Sequence, residues 1–137
     1  MSNTILVFGF ICTAFAAAGN ADILHALASP NAQQGGSFGI SVSGLGDVNG
    51  DGYDDIVVGA LCEDSESDPA TTGRVYVFEG RTGTLLYTLD SPDATANGSF
   101  GISLGGGVDV NNDGYNDVAV GAAGEKTEPN VVGAGHA

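Results

Sequence analysis

The chain has no tryptophan, one methionine, two cysteines and only three basic residues among 137. Three Lys and Arg stand against 17 Asp and Glu, for a formal charge of −14. Nucleic-acid binding needs clustered Lys and Arg to neutralise phosphates, so that class is excluded. The same shortage disfavours docking on anionic lipid surfaces. Of the two cysteines, Cys12 and Cys62, only Cys62 would survive removal of the apolar amino-terminal run, and a single Cys gives no intrachain disulfide framework. Long helices are also disfavoured: there are 23 Gly, and an interior Gly costs a helix roughly 1 kcal/mol relative to Ala. Hydrophobic residues nevertheless make up 42% of the chain, so it is not an acidic disordered tail. An excess of carboxylates over bases points to self-repulsion or to bound cations.

Long apolar runs are missing too, apart from Ile5 to Ala18 at the amino terminus. That run falls short of the roughly 20 residues a bilayer span requires. It has the length of a signal-peptide core, and Ala16-Ala17-Ala18 or Gly19-Asn20-Ala21 would serve for cleavage. No Lys or Arg precedes it, and an ordinary buried strand is the alternative. The expected division is a signal peptide over 1–21 and a mature segment over 22–137 that does not insert in a membrane. Cleavage would remove Cys12 and leave Cys62 as a free thiol or the partner of a cysteine elsewhere.

What the chain does have is an internal repeat. Residues 29–61 (SPNAQQGGSFGISVSGLGDVNGDGYDDIVVGAL) align without a gap on residues 91–123 (SPDATANGSFGISLGGGVDVNNDGYNDVAVGAA), with about 20 of 33 positions identical. The offset is 62 residues, from Phe38 to Phe100 and from Asp47 to Asp109 alike. Ile23 to Leu27 likewise lies over Leu85 to Leu89.

One unit reads as four short strands. Gly39 to Ser43 is the first, followed by a turn-rich loop from Gly44 to Asp55. Ile56 to Ala60 is a continuous apolar run suited to burial on both faces. An acidic loop, Cys62 to Thr72, precedes the alternating third strand, Arg74 to Glu79. A tight turn at Arg81-Thr82-Gly83 leads to the fourth, Thr84 to Leu89. Four antiparallel strands repeated radially make a β-propeller blade. The expected fold class is therefore all-β: an incomplete ring of four-stranded antiparallel blades. It comprises an outer strand over 22–28, a blade repeat over 29–90 and a truncated repeat over 91–137. Ala134 to Ala137 falls over Thr72 to Val75, so the chain is read as stopping where a third strand begins, as the amino-terminal fragment of a longer propeller.

Asp47-Val48-Asn49-Gly50-Asp51-Gly52-Tyr53-Asp54-Asp55 has the pattern D-x-N-x-D-G-x-x-D, and Asp109 to Asp117 repeats it. Oxygens at positions 1, 3 and 5, a Gly at 6, a carbonyl at 7 and an oxygen at 9 can wrap a hard cation. The candidate ligands are Asp47, Asn49, Asp51, Tyr53 through its carbonyl, and Asp55. In the second loop they are Asp109, Asn111, Asp113, Tyr115 through its carbonyl, and Asp117. Three carboxylates with no His or Cys favour Ca²⁺ over zinc or copper, and Mg²⁺ prefers a smaller octahedral shell. An EF-hand needs an acid at position 12 and a following helix. Here position 12 is Val58 or Val120, inside strand sequence. The bland reading is a turn rich in Asp, Asn and Gly, but two copies at one spacing between the same strands favour metal.

Phe38-Gly39, the loop Asp47 to Asp55 and Gly59-Ala60 resemble an FG-GAP repeat of the integrin α-subunit propeller type. Phe100-Gly101, Asp109 to Asp117 and Gly121-Ala122 resemble the next. The resemblance runs from Ile23 to the end. It implies a propeller, commonly of seven blades, with Ca²⁺ in the hairpin between the first two strands of a blade. Leu61 and Ala123 stand where the family often has Pro. No adhesion residue carries over, and the near-identical repeats look more like those of bacterial secreted proteins.

His25 and His136 have no Ser or Cys partner in a catalytic motif, and Gly105-Gly106-Gly107 opens no helix as a dinucleotide site would. Asn97-Gly98-Ser99 is a formal glycosylation sequon in a turn-like setting. Glu63, Asp64, Glu66 and Asp68 read as a solvated acidic loop, and Phe38 and Phe100 as core between blades. The expectation is a non-enzymatic, secreted or cell-surface propeller. Ca²⁺, about one per repeat, would be structural, and the ligand an unidentified protein or glycan. The alternative is a non-catalytic propeller module of a secreted polysaccharide-active enzyme or phospholipase. Its other contacts would be the remaining blades or, as a subordinate reading, further copies of itself.

Overall fold

A computed structural model of the chain describes residues 3–8, 22–64 and 71–126. Among these there are eight strands and no helix. β1 (Asn3–Phe8) lies parallel to β2 (Asp22–Ala28), with Asn3 opposite Asp22 and Phe8 opposite Ala28. Strands β3 (Phe38–Gly46), β4 (Asp55–Ala60), β5 (Arg74–Phe78) and β6 (Leu85–Asp90) form one antiparallel meander. β7 (Phe100–Val108) and β8 (Asp117–Ala122) pair as β3 and β4 do. Among the described residues β3–β8 thus make one complete four-stranded blade and the first two strands of another, in an open arrangement. β1 falls within the segment read as a leader. The rest of that segment, Glu66, Asp68 and everything after Lys126, His136 included, lies outside the described residues.

The strands match the sequence reading except at their ends. The first runs on to Gly46, where the pattern assigned a loop from Gly44: Gly44 pairs with Ile56 and, past a bulge, Gly46 with Asp55. Backbone pairing continues there through glycines, which carry no side-chain pattern to read.

β4 is buried over all six residues because both faces are covered. On one face Ile56, Val58 and Ala60 join Phe38, Tyr76, Phe78 and Leu27 of β2. The Phe38 and Phe78 rings meet edge to face with centroids 6.1 Å apart, a favoured aromatic geometry. On the other face Val57, Val75, Val77 and Leu45 pack against Phe100 and Ala122 of the second blade. Leu89 of β6 packs there as its counterpart Leu27 does on the first face. β2 thus contributes Leu27 to the core of the first blade, and Phe38 and Phe100 are core residues as expected.

The paired glycines of the motif meet between blades. Gly101 follows Phe100 with φ +85°, a left-handed conformation that a side chain resists. A Cβ on Gly59 would lie 2.2 Å from the Gly101 carbonyl oxygen. Ser41 Oγ donates to that same carbonyl at 2.6 Å. Nearby, a Cβ on Gly106 would lie 2.3 Å from the Leu45 side chain, so Leu45 is a knob seated on a glycine of the next blade.

The far face of the second blade is different. Gly107 and Ala119 stand where the first blade has Leu45 and Val57. The result is a shallow hollow of about 220 Å³, lined by Gly105, Gly106, Val108, Val110 and Ala119 among others. Val108 and Val110 are 61% and 78% exposed.

Candidate metal centre

The β3–β4 and β7–β8 hairpins each carry one of the two D-x-N-x-D-G-x-x-D loops at their tips, held by the same bonds. Asp47 Oδ1 accepts from the Gly50 and Asp51 N–H groups at 2.6 and 3.1 Å, and Oδ2 from Gly52 N–H at 2.8 Å. Asp109 repeats this toward Asn112, Asp113 and Gly114 at 2.6, 3.2 and 2.9 Å. Asn49 Oδ1 accepts Asp51 N–H and Asp51 Oδ1 accepts Tyr53 N–H. Asn111 and Asp113 do the same for Asp113 and Tyr115. These are chained Asx turns, in which a short side chain caps the amide two residues on. Gly52 and Gly114, at position 6, have φ +87° and +95°, the sharp reversal the spacing called for.

Position 9 closes the loop. Asp55 Oδ2 accepts Val48 N–H at 3.0 Å, and Asp117 Oδ2 accepts Val110 N–H at 2.8 Å. Asp55 is also buried, and its Oδ1 accepts Gly80 N–H of the β5–β6 turn at 3.1 Å. This anchoring role was not read from the sequence, since it links residues in different hairpins. The Gly52 amide, helped by Gly50 and Asp51, holds the Asp47 carboxyl below its ordinary 3.8. Tyr53 and Tyr115 have exposed side chains, and the Arg81 guanidinium lies 5.2 Å from the Tyr53 ring centroid, a cation–π distance.

Each loop thus brings its side-chain candidates onto one short run of backbone amides. It does not draw them into a tight cluster: among the described residues no group of three or more His, Cys, Asp or Glu converges as a metal-holding set. The donor chemistry of each loop is three carboxylates, an amide oxygen and a backbone carbonyl, with no nitrogen or sulfur ligand. That set fits a hard divalent cation.

The acidic loop after β4 corrects an expectation. Glu63 is buried, not solvated, and the Tyr76 hydroxyl donates to its Oε2. Asp64 is half-buried, its carbonyl accepting from Asn31 and Gln33 side chains. One signal could have shown this: Glu63 recurs as Glu125 at the repeat offset. His25 Nε2 lies 2.9 Å from the Arg81 carbonyl oxygen. Asn97 Oδ1 accepts from Thr71 Oγ1 at 2.9 Å, and Cys62 is a free thiol among the described residues.

The FG-GAP repeat family model matches residues 38–78 and 100–137. Mouse integrin alpha-IIb is 43% identical over 93 residues, covering 65% of this chain and 8% of its own length. Human integrin alpha-11 is 39% identical over 103 residues, 72% of this chain and 8% of its own length. Drosophila integrin alpha-PS2 is 39% identical over 98 residues, 64% of this chain and 6% of its own. The chain thus spans less than a tenth of the length of these relatives. The matched segments hold both blades' paired glycines and both Asp-rich hairpins, and the chain belongs to the FG-GAP repeat family.

Proposed function

We propose that the chain is part of an extracellular, calcium-stabilised propeller that serves as a binding or adhesion scaffold and performs no catalysis. The observation that carries this reading is the duplicated loop: two hairpins, 62 residues apart, hold the same oxygen donors on the same backbone amides. Asp47, Asn49, Asp51, Asp55 and the Tyr53 carbonyl would hold one ion, and Asp109, Asn111, Asp113, Asp117 and the Tyr115 carbonyl the other. Bound calcium would supply the positive charge these carboxylates lack. The protein's part is to fix the loop: the amides of residues 50–53 orient Asp47, Asn49 and Asp51, and Asp55 ties the loop to the neighbouring turn. The resulting stabilisation follows mass action, with affinity of about 10⁻⁵ to 10⁻³ M, suited to a calcium-rich exterior. The integrin relatives support a cell-surface or secreted setting and a protein or glycan ligand, with residues 1–21 as the export leader.

The test is calorimetric. Titration into the chain should find two calcium sites, and about 1 mM calcium should raise the melting temperature by roughly 5 °C or more. Asp47→Ala combined with Asp109→Ala should abolish both effects. A melting temperature indifferent to calcium and to EDTA would sink the proposal.

A further inference from the structure

The two candidate cation loops meet at one contact. Asn116 lies between Tyr115 and Asp117, which hold positions 7 and 9 of the second loop. It is half-buried, and its side-chain amide fills the space that a Cβ on Gly46 would take. Gly46 immediately precedes Asp47, position 1 of the first loop. Its φ of +69° is left-handed, so conformation and contact both reserve the place for glycine. The first repeat has Asp54 where the second has Asn116. The amide closes the contact without bringing another negative charge toward Asp47.

The contact continues on either side of Gly46. Leu45 sits on Gly106 of β7. Val48, position 2 of the first loop, packs on the same apolar cluster as Val118 of β8, the residue after Asp117. Val48 also gives its N–H to Asp55, position 9 of its own loop. The start of the first loop therefore rests on the hairpin that carries the second, and its last ligand is bonded to that start.

We propose that the two loops form a coupled pair, in which a cation held in one raises the affinity of the other, with Asn116 on Gly46 as the link. This deepens the calcium reading and rests on it. An ion drawing on the Tyr115 carbonyl and Asp117 fixes Asn116 between them. Gly46 and Asp47 are then already ordered, so the first loop loses less freedom when it fills. Linkage makes the effect reciprocal.

The experiment is a calcium titration of the full, ¹⁵N-labelled chain in about 0.15 M salt, which screens repulsion between the two ions. The Gly52 and Gly114 amide signals report the two loops separately. Asp109→Ala disables the second loop and should weaken the first about fivefold or more. Asn116→Ala should leave both loops able to bind, and on that background Asp109→Ala should no longer weaken the first. In a chain whose first loop is disabled by Asp51→Ala, calcium should still slow hydrogen exchange at the Gly46 amide. A first loop of unchanged affinity in the Asp109→Ala chain, or Gly46 exchange indifferent to calcium, overturns the coupling and leaves the calcium sites standing. A first loop still weakened on the Asn116→Ala background overturns the link. Binding at neither loop of the unaltered chain overturns the calcium reading and the coupling together. Should Asp109→Ala fail to fold, Asp113→Ala takes its place.

Discussion

At the scale of single residues, two contacts set how much change the fold tolerates. Gly59 has no room for a methyl group, because the Gly101 carbonyl already occupies that space. Gly59→Ala should lower stability by roughly 1–3 kcal/mol, as overpacking does, and move the urea midpoint accordingly with an unchanged slope. The second contact is Tyr76 on Glu63. Burial, and then the hydrogen bond to Glu63, push the Tyr76 phenol up to about 12. The folded chain thus keeps this proton where the unfolded chain, near the ordinary 10, has lost it. The resulting stability is whole below pH 10 and drains away between pH 10 and 12. Thermal melts across that window should show the loss. In a Tyr76→Phe chain the profile should be flatter and lower throughout, since Glu63 is left buried without its donor.

At the scale of the element, the two hairpins invite a direct comparison. Asp55 binds both Val48 and Gly80, whereas Asp117 binds Val110 alone among the described residues. Asp55→Ala should therefore cost on the order of 3 kcal/mol without any calcium present, and Asp117→Ala distinctly less, by chemical denaturation. Acid should loosen the first loop from the other direction. Asp47 is held ionised by the Gly52 amide, so its contribution is complete above the ordinary 3.8 and lost as pH falls through its lowered value. Amide signals of Gly50 and Gly52 followed by NMR should shift in that range. The hairpins themselves were legible in the sequence, because two copies in fixed phase separate a repeated strand–loop–strand from an accidental acidic turn. Glu63 was not legible, because an acid among acids reads as surface until its partner, 13 residues away, is placed. Nor was Gly59 on Gly101: alternation reports which face a residue takes, not which backbone lies across from it.

At the scale of the molecule, charge and shape act together. Two bound calcium ions would bring −14 to −10, so the chain keeps a strong mutual repulsion. Against that stands the exposed far face of the second blade, with Val108 and Val110. Light scattering should find single chains at low salt and association as salt screens the charge, with Val110→Glu holding the chain monomeric. A second copy would cover that face only loosely, so the association should be weak. Its Gly44, equivalent to the Gly106 that receives Leu45, would meet Gly107, and a hollow would remain between them. The joint between Gly59 and Gly101 has a further consequence, for how such a chain can grow. Its two halves belong to successive repeats, so every 62-residue unit carries the trailing half of one joint and the leading half of another. A tandem duplication in this phase therefore recreates the glycine joint wherever it falls, and the array lengthens without that contact having to be invented.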